Sequence, residues 1–92
     1  MIWTKAALAD LTKLIDYLTQ QTDKEFGAKI GQRILKSVKA LHVFPAMGKA
    51  SKAPGTRELI IKGLPYLVVY RVMQSKQVEI LRLWHMAQKR NQ

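Results

Sequence analysis

Cysteine is absent from the 92-residue chain, which excludes a disulfide framework, a thiolate nucleophile and any cysteine-ligated metal site. No run approaches the ~18 consecutive apolar residues of a membrane helix, and residues 1–10 lack the apolar centre of a secretory signal. A cytoplasmic protein without membrane attachment is therefore expected. Histidine is scarce. His42 and His85 stand far apart, neither with a carboxylate at ligand spacing, so no metal site is expected. No glycine-rich phosphate loop is present: Gly27 and Gly31 fall inside a helical pattern, and Gly48 and Gly55 open no helix. No cofactor is expected.

Acid is the other shortage. Six Asp and Glu face 16 Lys and Arg, for a net charge of +10. Residues 1–23 carry Lys5 and Lys13 against Asp10, Asp16 and Asp23, so the whole excess lies further along. From Phe26 to Arg57 the bases Lys29, Arg33, Lys36, Lys39, Lys49, Lys52 and Arg57 meet no acid. A solvated face normally mixes signs, so this stretch points to a polyanionic or acidic partner. Apolar residues at 48% and charged residues at 24% are ordinary for a globular chain, and the length allows one domain, residues 1–92.

Ile2-Trp3-Thr4 reads as an edge strand, with Thr4 the N-cap of a helix from about Lys5 to Gln20. Leu8, Leu11, Ile15 and Leu18 form its apolar stripe, widened by Ala7 and Leu14. Thr22-Asp23-Lys24-Glu25 fits a capping box for a second helix, with Thr22 as cap and Phe26, Ile30, Ile34, Val38 and Leu41 as its buried face. Gly27 and Gly31 cost that helix roughly 1 kcal/mol each relative to Ala, an expense that close approach of the first helix would explain. Pro45 ends the helix near Val43 or Phe44, and Pro45 to Gly55 reads as loop. Three strand patterns follow, at Arg57–Ile61, Tyr66–Val72 and Val78–Trp84, joined by connections short enough for antiparallel hairpins. Leu67 to Tyr70 is apolar on both faces and belongs at the sheet centre. The expected fold is α+β, ordered β-α-α-β-β-β: a helical hairpin on one face of a small, mainly antiparallel sheet. The other face, rimmed by bases, is where function is expected.

Arg57, Arg82 and His85 are the residues able to do chemistry, with Glu58 nearby. Metal-free RNA cleavage needs groups that move protons and a cation that stabilises the crowded phosphate, roles suited to His or carboxylate and to Arg. Arg57 opens one strand and His85 closes another, so a sheet can bring both to one edge. Alternatively Arg57 pairs with Glu79 and His85 packs beside Trp84. Tyr66, Tyr70, Arg71, Arg82, Trp84 and His85 alternate rings with bases, as single-stranded nucleic-acid binders do; Tyr70 and Trp84 are assigned to the core.

Gly55-Thr56-Arg57-Glu58-Leu59, Pro65-Tyr66-Leu67-Val68-Val69-Tyr70-Arg71-Val72 and Val78-Glu79-Ile80-Leu81-Arg82-Leu83-Trp84-His85, in that order, resemble the RelE/ParE superfamily of bacterial toxins. Trp3, Ala6-Ala7-Leu8-Ala9-Asp10-Leu11 and Phe44-Pro45-Ala46-Met47-Gly48-Lys49 extend the resemblance over nearly the whole chain. It implies the toxin of a type II toxin–antitoxin pair, neutralised by an antitoxin whose toxin-binding segment is acidic and apolar. ParE-like members poison DNA gyrase; RelE-like members cleave mRNA in the ribosome. Tyr66 stands where several nuclease members carry Arg, and Met86 rather than tyrosine follows His85, so the gyrase branch is favoured and an enzymatic role is left open. If the chain is a nuclease, Arg57, Arg82 and His85 are its catalytic residues. Lys49, Lys52, Arg57, Tyr66 and Arg82 are the expected contacts to target or nucleic acid, and Lys29, Arg33 and Lys36 those to the antitoxin. A non-toxic basic nucleic-acid-binding module is the third reading.

Overall fold

Thr4 joins the first strand, the first helix and the far end of the chain. Its hydroxyl accepts from the Ala7 amide at 3.1 Å and caps helix α1 (Lys5–Gln21), an interaction worth ~1 kcal/mol. The same hydroxyl donates to the Leu81 carbonyl, and the Thr4 amide donates to the Ile80 carbonyl, each at 3.1 Å. These bonds dock strand β1 (Ile2–Trp3) parallel to the last strand. In this computed structural model residues 1–87 are described.

The helical hairpin forms as its pattern requires, with three adjustments, the first being Phe26, expected on the buried face of the second helix and 42% exposed. Ala7 and Leu11 are buried and Leu14, Ile15 and Leu18 half-buried, whereas Leu8, expected in the stripe, lies 48% exposed. The second cap is one residue later than the capping box implies. Asp23, not Thr22, accepts the Phe26 amide at 2.8 Å to start α2 (Lys24–Lys39). Thr22 is occupied at the end of α1, where its hydroxyl and amide both donate to the Leu18 carbonyl. So short a connection leaves one residue to close one helix and the next to open the other. The two glycines do permit close approach. A Cβ at Gly27 would overlap the Thr19 hydroxyl, and one at Gly31 would lie 2.8 Å from Ile15 Cδ1. Ile30, Ile34 and Val38 are buried, and a 3-10 turn (Ala40–His42) ends the helical run with Leu41 inside.

The sheet has five strands in the order β1-β5-β4-β3-β2. Strand β2 (Lys49–Ala50) lies within the stretch read as loop; its two residues are too few for any periodicity to show, and it pairs antiparallel with β3 (Arg57–Ile60). Strands β3, β4 (Tyr66–Val72) and β5 (Val78–His85) form the expected antiparallel hairpins, and β4 is central with Leu67 to Tyr70 all buried.

One irregularity decides which side chains face which way. Val69 pairs with Arg82 but Tyr70 with Ile80, leaving Leu81 as an extra residue in β5. A bulge of this kind reverses the alternation beyond it. Val78 and Ile80 face the helices before it; Leu83 faces them after it and joins the same core, with Val68, Tyr70, Ile34 and Leu41. Arg82 and Trp84, in phase with Ile80 by simple alternation, turn instead to the outer face. Trp84, expected in the core, is therefore only half-buried, with the Arg82 guanidinium 5.2 Å from its ring centre. On the helix side, Tyr70 is fully buried, and its hydroxyl donates to the Pro45 carbonyl at 2.7 Å and accepts from the Gly48 amide at 2.9 Å. That phenol holds the chain leaving the helices in place for β2. Among the described residues no helix is long and apolar enough to cross a membrane.

Deleting Leu81 removes the extra residue and leaves an unbroken ladder in which Arg82 still faces outward and Leu83 inward, losing only the carbonyl that the Thr4 hydroxyl binds. The deletion variant is therefore expected to keep a cooperative thermal transition in circular dichroism, whereas Leu83→Asp, which puts an uncompensated charge into the core at a typical cost of several kcal/mol, should lose it.

Candidate target-binding surface

Arg57, Arg82 and His85 do not converge. Arg57 pairs with Tyr70 on one side of β4 and His85 with Tyr66 on the other. Four residues along the strand and two strand spacings across separate their backbones by roughly 16 Å. Arg57 lies on the helix side, where Nη1 donates to the Gly48 carbonyl at 2.7 Å. It does not pair with Glu79, which binds Arg71 Nε at 2.6 Å. Arg82 projects from the outer face and bends round the strand to Asp10 of α1, donating from Nε at 2.8 Å and Nη2 at 3.1 Å. Hydrogen bonding to Asp10, with the Asp10 charge adding and burial opposing, holds the Arg82 guanidinium above its ordinary value. The His85 Nδ1 accepts from the Ala87 amide at 3.0 Å.

Asp10 has a second task. Because β1 pairs only with the start of β5, the later part of β5 is open, and the Leu83 amide there donates to Asp10 Oδ2 at 3.0 Å. One carboxylate thus caps a strand edge and neutralises the nearby guanidinium. Helical spacing leaves Asp10 outside the apolar stripe of α1 and names no partner for it; the bulge that brings Arg82 within reach leaves no mark in the sequence.

His85 and Tyr66 do meet. Their rings are edge to face, 5.5 Å between centres and 85° apart. With Lys13, Leu14 and Tyr17 of α1 they line an open groove of about 420 Å³. Burial, reinforced by Tyr17, holds the Tyr66 phenol above its ordinary value, so it remains a neutral donor at neutral pH. Lys13 and Tyr17 were missed as site residues because an amphipathic pattern reports only that they face outward.

The remaining bases divide between two surfaces. Lys49 and Lys52 lie exposed beside the outer sheet face, Lys49 directly opposite Glu58. Before them, Val43, Phe44 and Met47 stand exposed at 67%, 64% and 47% and adjoin one another in one apolar patch. Lys29, Arg33 and Lys36 are exposed on α2, although Arg33 Nη2 donates to the Lys62 carbonyl at 2.8 Å. Lys36 and Lys39 also flank a shallow groove of about 470 Å³ whose walls include Met1, Trp3, Leu35 and Val38. Among the described residues no three His, Asp or Glu side chains gather as metal ligands would.

Comparison with known proteins is consistent across three kinds of evidence. Residues 1–90 match the family described as the ParE toxin of the type II toxin–antitoxin system parDE. A protein named as a candidate toxin, Y4kP of Sinorhizobium fredii, is 36% identical over 83 residues, covering 90% of this chain and 83% of that one. Toxin RelE2 of Caulobacter vibrioides is 32% identical over 87 residues, covering 95% and 94%. A solved structure described as the chromosomal ParDE system from P. aeruginosa superposes with a TM-score of 0.82 at 32% identity, covering 90% of each chain.

Asp10→Ala removes the acceptor from both the Leu83 amide and Arg82, a loss of about 1–3 kcal/mol for hydrogen bonds to a charged group. Chemical denaturation should report that decrease. Arg82→Ala alone, which leaves the strand cap in place, should lose less.

Proposed function

The chain belongs to the ParE toxin family of type II toxin–antitoxin systems, and from that premise we propose that it arrests growth by binding DNA gyrase rather than by cutting RNA. The observation that carries this reading is the dispersal of the cationic residues. A metal-free nuclease must gather proton-transfer groups and a phosphate clamp within ~3 Å of the reacting atoms. Here Arg57 is bonded to the Gly48 carbonyl, Arg82 to Asp10, and His85 lies beyond β4 from Arg57. A binding inhibitor needs only an exposed contact surface. Val43, Phe44 and Met47, continued by Lys49 and Lys52, supply apolar area and positive charge together.

The antitoxin reading rests on the other surface. The P. aeruginosa neighbour belongs to a ParDE pair. An acidic, apolar antitoxin segment laid over α2 would meet Lys29, Arg33 and Lys36 with its charges and the Trp3–Leu35 groove with its side chains, a pairing that favours fast and specific association. The two surfaces lie on different elements.

Ribosome-dependent mRNA cleavage is the second reading, favoured by the relative named RelE2 and by the meeting of His85 with Tyr66. In a supercoiling assay, micromolar protein should block gyrase or trap it on cleaved DNA, and His85→Ala should inhibit as strongly as the unaltered chain. Unimpaired supercoiling, together with mRNA cleavage on translating ribosomes that His85→Ala abolishes, would establish the nuclease instead.

A further inference from the structure

The corner between the helical run and β2 carries Val43, Phe44 and Met47, exposed apolar side chains that cannot hold one another in place by burial. Its own backbone bonds are short-range: the Val43 and Phe44 amides donate to the Ala40 carbonyl, and the Met47 amide donates to the Phe44 carbonyl. The sheet supplies the rest. The hydroxyl of the fully buried Tyr70 donates to the Pro45 carbonyl at 2.7 Å and accepts from the Gly48 amide at 2.9 Å. Arg57 Nη1 donates to the Gly48 carbonyl at 2.7 Å. Tyr70 and Arg57 lie opposite each other in β4 and β3, so one cross-strand pair grips the corner. Gly48 permits the approach: a Cβ there would lie 2.6 Å from the Glu58 carbonyl oxygen and 2.8 Å from the Tyr70 hydroxyl.

We infer that Tyr70 and Arg57 are positioning residues for the target-binding patch: acting through Pro45 and Gly48, they hold Val43, Phe44 and Met47 in the arrangement that meets the partner. The inference rests on the reading that this patch makes the contact. A phenol suits the task because one hydroxyl both donates and accepts, and here it ties a carbonyl to the amide three residues on. Side chains on an untethered loop would have to be ordered on binding, and each backbone residue so ordered weakens affinity roughly tenfold. A corner clamped from the sheet is already ordered when the partner arrives. Arg57 thereby acts through its Nη1 donor rather than through contact with a phosphate.

Tyr70→Phe keeps the buried ring and removes both hydroxyl bonds. With methyl-labelled methionine, the Met47 methyl order parameter should fall in the variant, while that of Met73, between β4 and β5, stays unchanged. A side chain serving stability alone would alter neither in the folded protein. In the supercoiling assay the half-inhibiting concentration should rise roughly 10- to 100-fold. Phe44→Ala should then weaken inhibition less on the Tyr70→Phe background than on its own, because the clamp acts through the patch. Arg57→Met, which lifts only the Gly48 bond, gives a milder loosening by the same readings if Tyr70→Phe does not fold. An unchanged Met47 order parameter in the folded variants would overturn the clamp. So would inhibition as strong as that of the unaltered chain, or additive losses with Phe44→Ala. If the unaltered chain itself leaves gyrase uninhibited, the gyrase reading fails, and the Met47 signal still decides the clamp.

Discussion

A single extra residue in the last strand determines the faces of this molecule. With Leu81 bulged out, Leu83 completes the core against Val68, while Arg82 and Trp84 point away from it. Were Leu81 paired in the ladder instead, one half of β5 would have to bury an arginine and expose its leucine, and neither is compatible with so small a core. The first strand depends on the same place, because Thr4 bonds both the Ile80 and Leu81 carbonyls. So does the open edge of β5, where Asp10 receives the Leu83 amide and the redirected Arg82 together.

That geometry changes the meaning of the positive charge. A net +10 read along the chain suggests a broad nucleic-acid surface. In the fold, several cations have internal duties: Arg57 on Gly48, Arg33 on Lys62, Arg71 on Glu79 and Arg82 on Asp10. The lysines of α2 and those at 49 and 52 stay exposed, on separate elements. One surface suits an acidic partner protein. The other combines lysines with exposed apolar side chains.

Local chemistry was legible in the sequence wherever it acts over a few residues. The Thr4 cap, the glycine contacts of the helical hairpin, the three hairpin strands and the central place of Leu67 to Tyr70 all follow from spacing and residue type. The order of the elements and the family likeness agree with the fold. What stayed hidden depends on register. Thr22 was misread as a cap because the same four residues can close one helix or open the next. Trp84 was misplaced because alternation assumes an unbroken ladder. Arg57 and His85 look able to meet in the sequence because it shows which residue opens one strand and which closes another, but not which residues lie opposite each other. Asp10 and Glu58 acquire their roles only from partners distant in sequence, Arg82 and Ser51 among them.

The proposed mode of action, binding without RNA cleavage, rests on Arg57 and His85 being held apart by register while Arg57 and Arg82 are bonded to Gly48 and Asp10. The most direct measurement is pulse incorporation of thymidine and methionine in cells during the first minutes after induction of the chain. A gyrase-binding toxin stops thymidine incorporation first, with filamentation and a DNA-damage response, while methionine incorporation continues. Collapse of methionine incorporation with DNA synthesis still running would contradict the account.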